Sequence, residues 1–319
     1  MKFIQQAYKG NNEWWSYVVT IILLFFGWQI IGIVPLSGVA YYYSDNIEMF
    51  MSSMATAFTS LGINSNLYLI LIIFTFFGGL FFLFLGIKFI HKRKILTVLT
   101  SRDKLDWNRI LFAFSVWFII GIVIFIINYF MAPEDYIWNF KPVPFLILVL
   151  ISFLLLPIQT SMEEVLFRGY LMQGFGTWFK KSFIALILTS VIFGLLHGTN
   201  PEVEKLGWIT MVYYIGTGLL LGVFALMDEG IELSLGFHAA NNILAATLVT
   251  VNWAAFQTEA LFIDVSDPSV GYEMFVPVFV LYPIILIIFS KKYGWTNWKE
   301  KLFGHVFKPI EFKEEEFIA

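Results

Sequence analysis

The chain contains no cysteine, and only 13% of its 319 residues are charged. Without cysteine there is no disulfide framework, no thiolate metal site and no cysteine nucleophile. Ordinary soluble domains carry roughly 25% charged residues, so a charge content this low argues against a soluble globule. Histidine is scarce too, at four residues. The net charge of −3 supplies no basic field for binding nucleic acid. H-E-x-x-H, G-x-S-x-G and an Asp pair within the apolar stretches are all absent. Zincin-type, serine and aspartyl intramembrane chemistry are therefore disfavoured. No internal repeat, low-complexity tract or separate polar domain is visible.

What is present is apolar. Hydrophobic residues make up 59% of the chain and aromatics 19%, and the mean hydropathy is +0.77. A helical span needs about 20 mostly apolar residues. Eight stretches meet or approach that length: 16–35, 67–90, 110–131, 144–173, 182–198, 207–227, 233–252 and 273–290. The expected fold is an all-α polytopic bundle of about eight transmembrane helices, one integral membrane domain over 1–319. The fourth stretch exceeds a simple span, and its helix is expected to continue past the apolar layer from Ser161 to Gln173. The first apolar run follows a polar leader and has no small-residue cleavage site after it, so it reads as a retained span and not a signal peptide.

Lysine and arginine concentrate in alternate connections: Lys2 and Lys9; Lys92, Arg93, Lys94, Arg102, Lys104 and Arg109; Lys180 and Lys181; and the tail from Lys291 to Lys313. Only Lys141 and Lys205 fall in the other set. By the positive-inside rule, both termini are expected in the cytoplasm. The acidic run Asp228-Glu229-Gly230-Ile231-Glu232 dissents mildly, although acids weigh little in that rule. A short helix is expected around Ile47–Phe58 and a surface helix over Leu96–Trp107, with Leu105 and Trp107 at the interface. Gly194, Gly216, Gly218 and Gly222 suit close helix packing. Gly216-x-Gly218 follows no strand, so it carries no nucleotide-binding signal.

Three polar patches interrupt the apolar stretches: Glu163-Glu164-x-x-x-Arg168, Phe193-x-x-x-His197 and His238-x-x-x-Asn242. Ionisable groups in a hydrocarbon layer are costly and usually functional. On a helix Glu164 and Arg168 are i,i+4 with the acid first, the favourable order for an ion pair. Glu163 points about 100° away and is left without a local partner, which suits a general base. The bland alternative is a stabilising cluster at a helix end. Phe193 lies one turn before His197 and either walls the site or packs as a core aromatic. His238 and Asn242 share a face and can offer two donors to one space, as an oxyanion hole requires. They could equally contribute to a metal site or bond helices together, and Asn241, on another face, suits the last of these roles. His91 and His305 lie in basic segments and are expected to be solvated. Straight parallel helices would leave Glu163, His197 and His238 at different depths, so a tilt or a break near Gly194 or Gly198 is needed.

In their order and spacing these patches resemble the CAAX-processing and bacteriocin-processing intramembrane protease family, also called the Abi family. The resemblance covers roughly residues 157–248. It implies that Glu163 and His197 activate the attacking water and that His238 and Asn242 hold the oxyanion. Glu164 and Arg168 would brace the site, with Phe193 beside them. It leaves open whether a divalent ion such as zinc, held by Glu163, His197 and His238, takes part. Asparagine is a poor zinc ligand, which favours activated water without a tightly held metal. The implied substrates are peptides or membrane-protein segments: prenylated C-termini, leader peptides, pheromones or bacteriocin-related peptides. The Phe-, Ile- and Lys-rich composition points to a bacterial plasma membrane. Two rivals stand: a non-proteolytic partner of a membrane sensor or secretion protein, and a transporter. The polar residues show none of the paired halves expected of a transporter.

Overall fold

The structure, a computed structural model, describes residues 2–251, 253 and 257–309. Seven helices are long and apolar enough to cross a bilayer: α1 (Trp14–Tyr42), α2 (Ser65–Ile90), α3 (Trp107–Met131), α4 (Pro142–Phe179), α5 (Ser182–Thr199), α6 (Trp208–Asp228) and α8 (Met274–Tyr293). The chain is an integral multi-pass membrane protein. Local chemistry sets several starts. The Asn64 side chain accepts from the backbone N–H groups of Asn66 and Leu67 at the head of α2, and Asp106 accepts from Asn108 at the head of α3. Pro142 opens α4, where a missing N–H costs nothing. Along α3, Ile119, Val123, Ile126 and Phe130 form an exposed stripe at helical spacing, an apolar face suited to lipid chains.

The stretch expected as the seventh span behaves differently. It forms α7 (Glu232–Thr247), a helix of sixteen residues. At 1.5 Å per residue it is about 24 Å long, short of the roughly 30 Å hydrocarbon layer. Residue 252, where the expected span ended, lies outside the described residues. The helix is short because it does not face lipid: every residue from Glu232 to Ala240 is buried, so it can carry Ser234, His238, Asn241 and Asn242 among protein neighbours. Gly236 allows this. A Cβ there would overlap the Ile110 carbonyl oxygen of α3. Gly236→Ala is therefore expected to destabilise the protein by about 1–3 kcal/mol, read as a lowered thermal midpoint in detergent. Gly218 plays the same part between α5 and α6, where a Cβ would come 3.0 Å from the Ser190 backbone. Gly194, Gly216 and Gly222 also meet neighbouring helices.

A small sheet sits at one end of the bundle. β1 (Tyr136–Trp138) pairs antiparallel with β3 (Phe262–Asp264), and β2 (Val249–Thr250) pairs parallel with β3. The α6–α7 turn carries the acidic run, and bases meet it: Arg102 lies 3.1 Å from Asp228 and 3.3 Å from Glu232, Lys301 lies 3.5 Å from Glu229, and Arg109 pairs with Asp228. The acids that dissented from the charge pattern are thus internal counter-ions.

Two expectations for the basic connections need correction. The surface helix over Leu96–Trp107 is only one turn, Leu96–Leu99; Trp107 instead begins α3. His91 is not solvated. It is 1% exposed, with Nδ1 2.6 Å from the Asn11 carbonyl and Nε2 2.7 Å from the Tyr170 hydroxyl. Tyr17 and Tyr170 pack edge-on against its ring. Its polar context in the sequence misleads because these partners come from distant segments. His305 is exposed, as expected, and Lys313 lies outside the described residues. The short helix near Ile47–Phe58 is present as Ile47–Ser53.

Burial, reinforced by the Arg93 charge, lowers the His91 imidazole from 6.5 to about 4. The folded segment therefore prefers neutral His91. Its contribution to stability is complete above pH 6.5 and declines as pH falls from there toward 4. Amide protection factors over residues 10–12 and 90–93, corrected for intrinsic exchange, are expected to fall as pH drops across that window, and a His91→Phe variant is expected to lose this fall.

Candidate active site

The site is built on α4 and α7. α4 is not one smooth rod. Pro157 lacks an N–H and its ring crowds the preceding turn, and the helix breaks at Leu155 between Pro142–Leu154 and Leu156–Glu164. Immediately after Glu164 the backbone opens into a π-helical stretch, Val165–Leu171. Such widened turns are rare and often mark functional positions. Gly169 lets this stretch lie against the Val98 carbonyl.

The expected Glu164–Arg168 pair forms with Nη1 to Oε1 at 2.8 Å, and both residues are 0% exposed. Arg168 sits inside the continuing helix and not near its end. Its Nη2 donates to the Gly218 carbonyl at 3.3 Å, and its guanidinium lies 4.2 Å from the Phe193 ring centre. The same Glu164 Oε1 is 2.7 Å from His238 Nδ1. Two cation-capable groups thus converge on one carboxylate oxygen. With Nδ1 held in this way, His238 turns Nε2 toward Glu163 Oε2, 3.6 Å away.

Glu163 has a local partner after all, though not a cation. Gln159, one turn earlier on the same face, donates Nε2 to Glu163 Oε1 at 2.6 Å. Glu163 Oε2 is buried and, among the described residues, accepts no hydrogen bond. Asn242 Nδ2 donates to Gln159 Oε1 at 2.9 Å, and Asn242 Oδ1 accepts from Asn241 Nδ2 at 3.2 Å. Asn242 has two N–H donors, so one stays uncommitted among the described residues. Asn241 joins helices, accepting from Trp117 Nε1 of α3 at 3.1 Å.

Glu163, Glu164, Arg168, His238 and Asn242 therefore meet in one place. His197 stands beside them. α5 ends its regular helix at Leu196, and His197 opens a 3-10 turn, so the break falls at the histidine itself. Its Nδ1 is 2.8 Å from the Phe193 carbonyl, and its ring stacks on Tyr214 at 4.5 Å. It shares Phe193 with His238: the Phe193 ring centre is 4.6 Å from one imidazole and 6.1 Å from the other. No hydrogen bond or ion pair between His197 and Glu163, His238 or Asn242 occurs among the described residues.

A catalytic zinc takes three protein donors. Among the described residues no group of three His, Cys, Asp or Glu is placed to hold an ion. Glu163 Oε2 and His238 Nε2 make a pair only, and no third such donor joins them among the described residues. The donor set does not fit a zinc centre.

Residues 142–244 match the sequence model of a family described as type II CAAX prenyl endopeptidase Rce1-like. The match runs from the start of α4 to Leu244 in α7 and includes every residue of the three patches. The chain is also 30% identical over 247 residues to the uncharacterized protein YyaK of Bacillus subtilis (strain 168), covering 76% of this chain and 80% of that protein. The chain belongs to the Rce1-like family. Membership makes this Rce1-like chain a membrane peptidase of the CAAX type in general. No solved structure matches it.

Gln159, Tyr214 and Trp117 were not singled out from the Rce1-like sequence. Gln159 carried a usable signal, since it is i−4 to Glu163. Tyr214 and Trp117 did not: each reaches the site from a separate helix, and each reads as an ordinary aromatic of an apolar span.

Proposed function

We propose that the chain hydrolyses peptide bonds in membrane-associated peptides or protein segments, using water activated by Glu163. The observation that supports this best is the facing pair of Glu163 Oε2 and His238 Nε2, 3.6 Å apart, each anchored through its other heteroatom. On this reading a water admitted between them bonds to both and is set for attack. Its proton passes to Glu163 Oε2 as its oxygen bonds to the scissile carbonyl carbon. The developing oxyanion is held by His238, whose Nδ1 lies 2.7 Å from Glu164, and accepts from the uncommitted N–H of Asn242. The C–N bond then breaks, and the proton on Glu163 passes to the leaving nitrogen. His197, with Nδ1–H on the Phe193 carbonyl, keeps Nε2 for a share in this proton handling. Arg168 pairs with Glu164, and Glu164 in turn orients His238.

The family description favours a scissile bond near a lipid-anchored C-terminus. Leader peptides, pheromones and bacteriocin-related peptides present comparable membrane-bound segments. Comparative peptidomics of membranes carrying wild type or Glu163→Gln tests this proposal. A processed peptide found only with wild type is expected. Identical peptidomes, with a wild-type phenotype for the variant, would point instead to a binding partner that works without cleavage.

A further inference from the structure

Four hydrogen bonds run in one direction from α3 to Glu163. Trp117 Nε1 donates to Asn241 Oδ1 at 3.1 Å, Asn241 Nδ2 to Asn242 Oδ1 at 3.2 Å, Asn242 Nδ2 to Gln159 Oε1 at 2.9 Å, and Gln159 Nε2 to Glu163 Oε1 at 2.6 Å. The two ends fix the sense of the chain. An indole N–H can only donate, and an ionised carboxylate can only accept. Each of the three amides between them must therefore point its oxygen toward Trp117 and its nitrogen toward Glu163, so their orientations are set by chemistry. Tyr213 reinforces the first link, donating to Asn241 Oδ1 at 3.4 Å. Trp117 is 6% exposed and Gln159 4%, with Asn241 and Asn242 half-buried between them, and links in series polarise one another.

We infer that Trp117, Asn241 and Gln159 are positioning residues that engage Oε1 of Glu163 and so leave Oε2 as its reactive oxygen. This rests on the reading of Glu163 as the general base. The chain explains why the two oxygens of one carboxylate differ. Oε1 holds a short hydrogen bond, whereas Oε2 faces His238 with none. It also gives α3, which lies outside the segment matched by the family model, a part in the site. Gln159 sits at the hinge of the chain: reversing its amide would turn an oxygen toward Glu163 and a nitrogen toward Asn242 Nδ2, opposing like groups at both ends.

The test is infrared difference spectroscopy on the purified full chain in liposomes at pH 7. Wild type minus Glu163→Gln isolates the carboxylate bands of Glu163, whose splitting reports how its oxygens are hydrogen-bonded. Gln159→Leu is expected to shift those bands most. Trp117→Phe, which keeps a ring to stack on Phe237 (4.4 Å between centres), is expected to shift them less and in the same direction. Asn241→Leu removes the middle link without touching the indole and is expected to agree with Trp117→Phe, which covers the case of either variant folding poorly. On the peptide that wild type processes and Glu163→Gln does not, Trp117→Phe is expected to lower kcat about tenfold with KM unchanged. Bands in Trp117→Phe and Asn241→Leu that superimpose on wild type would overturn the inference while leaving Glu163 as base intact. Shifted bands, combined with full processing by Glu163→Gln, would instead sink the reading of Glu163 itself.

Discussion

Glu163→Gln is expected to lower the rate of peptide processing by about 10²–10⁴-fold, the usual worth of a positioned general base. The substitution is nearly isosteric. Its amide oxygen still accepts from Gln159, which donates to Oε1 at 2.6 Å, so Gln159 keeps the orientation in which it accepts from Asn242 of α7. The lone pair of the nitrogen that replaces Oε2 is delocalised into the amide and does not take a proton from water. Because Oε2 accepts no hydrogen bond among the described residues, the fold loses little, and the thermal midpoint is expected to stay close to wild type. Rate measurements and thermal scans on the same preparation check both halves. A large fall in rate together with a collapsed midpoint would mean that Glu163 braces the bundle and does no chemistry.

Arg168→Met is expected to have the largest effect on stability, a loss of about 3–5 kcal/mol. Arg168 and Glu164 are both 0% exposed. Without the guanidinium, Glu164 is a buried carboxylate whose remaining contact is His238 Nδ1 at 2.7 Å. The cation over Phe193 and the donor to the Gly218 carbonyl go with it. Adding Glu164→Leu removes the stranded charge, and replacing both members of a buried pair by apolar groups is often close to neutral. The double variant is therefore expected to regain most of the lost stability yet process no peptide, since His238 has lost the group that orients it. Equal destabilisation by the single and double variants would contradict this view of Glu164.

Much of this was legible in the residues because the governing physics is local. The seven spans follow from runs of apolar side chains, and the Glu164–Arg168 pair follows from helical spacing. Close packing at Gly218 and Gly194 likewise needs only small residues on apolar helices. What escaped depended on distant segments. α7 looks like a span by hydropathy, but its length and polarity make sense only once α3, α4 and α6 surround it. His91 sits among bases in the sequence and is enclosed by Tyr17 and Tyr170 in the fold. The π-helical turns at Val165–Leu171 are demanded by no residue type, and Pro157 announces a break without its direction. In the fold that contains these features and the 3-10 turn at His197, Glu163 reaches His238 while His197 stays one ring away.

The central claim is that water, activated at Glu163, cleaves a peptide bond. The most direct measurement is mass spectrometry of the processed peptide formed by purified protein in liposomes in ¹⁸O-labelled water. The expected result is a new C-terminal carboxylate carrying one ¹⁸O, formed by wild type and not by Glu163→Gln. The same labelled product from both proteins, at equal rate, would contradict the account.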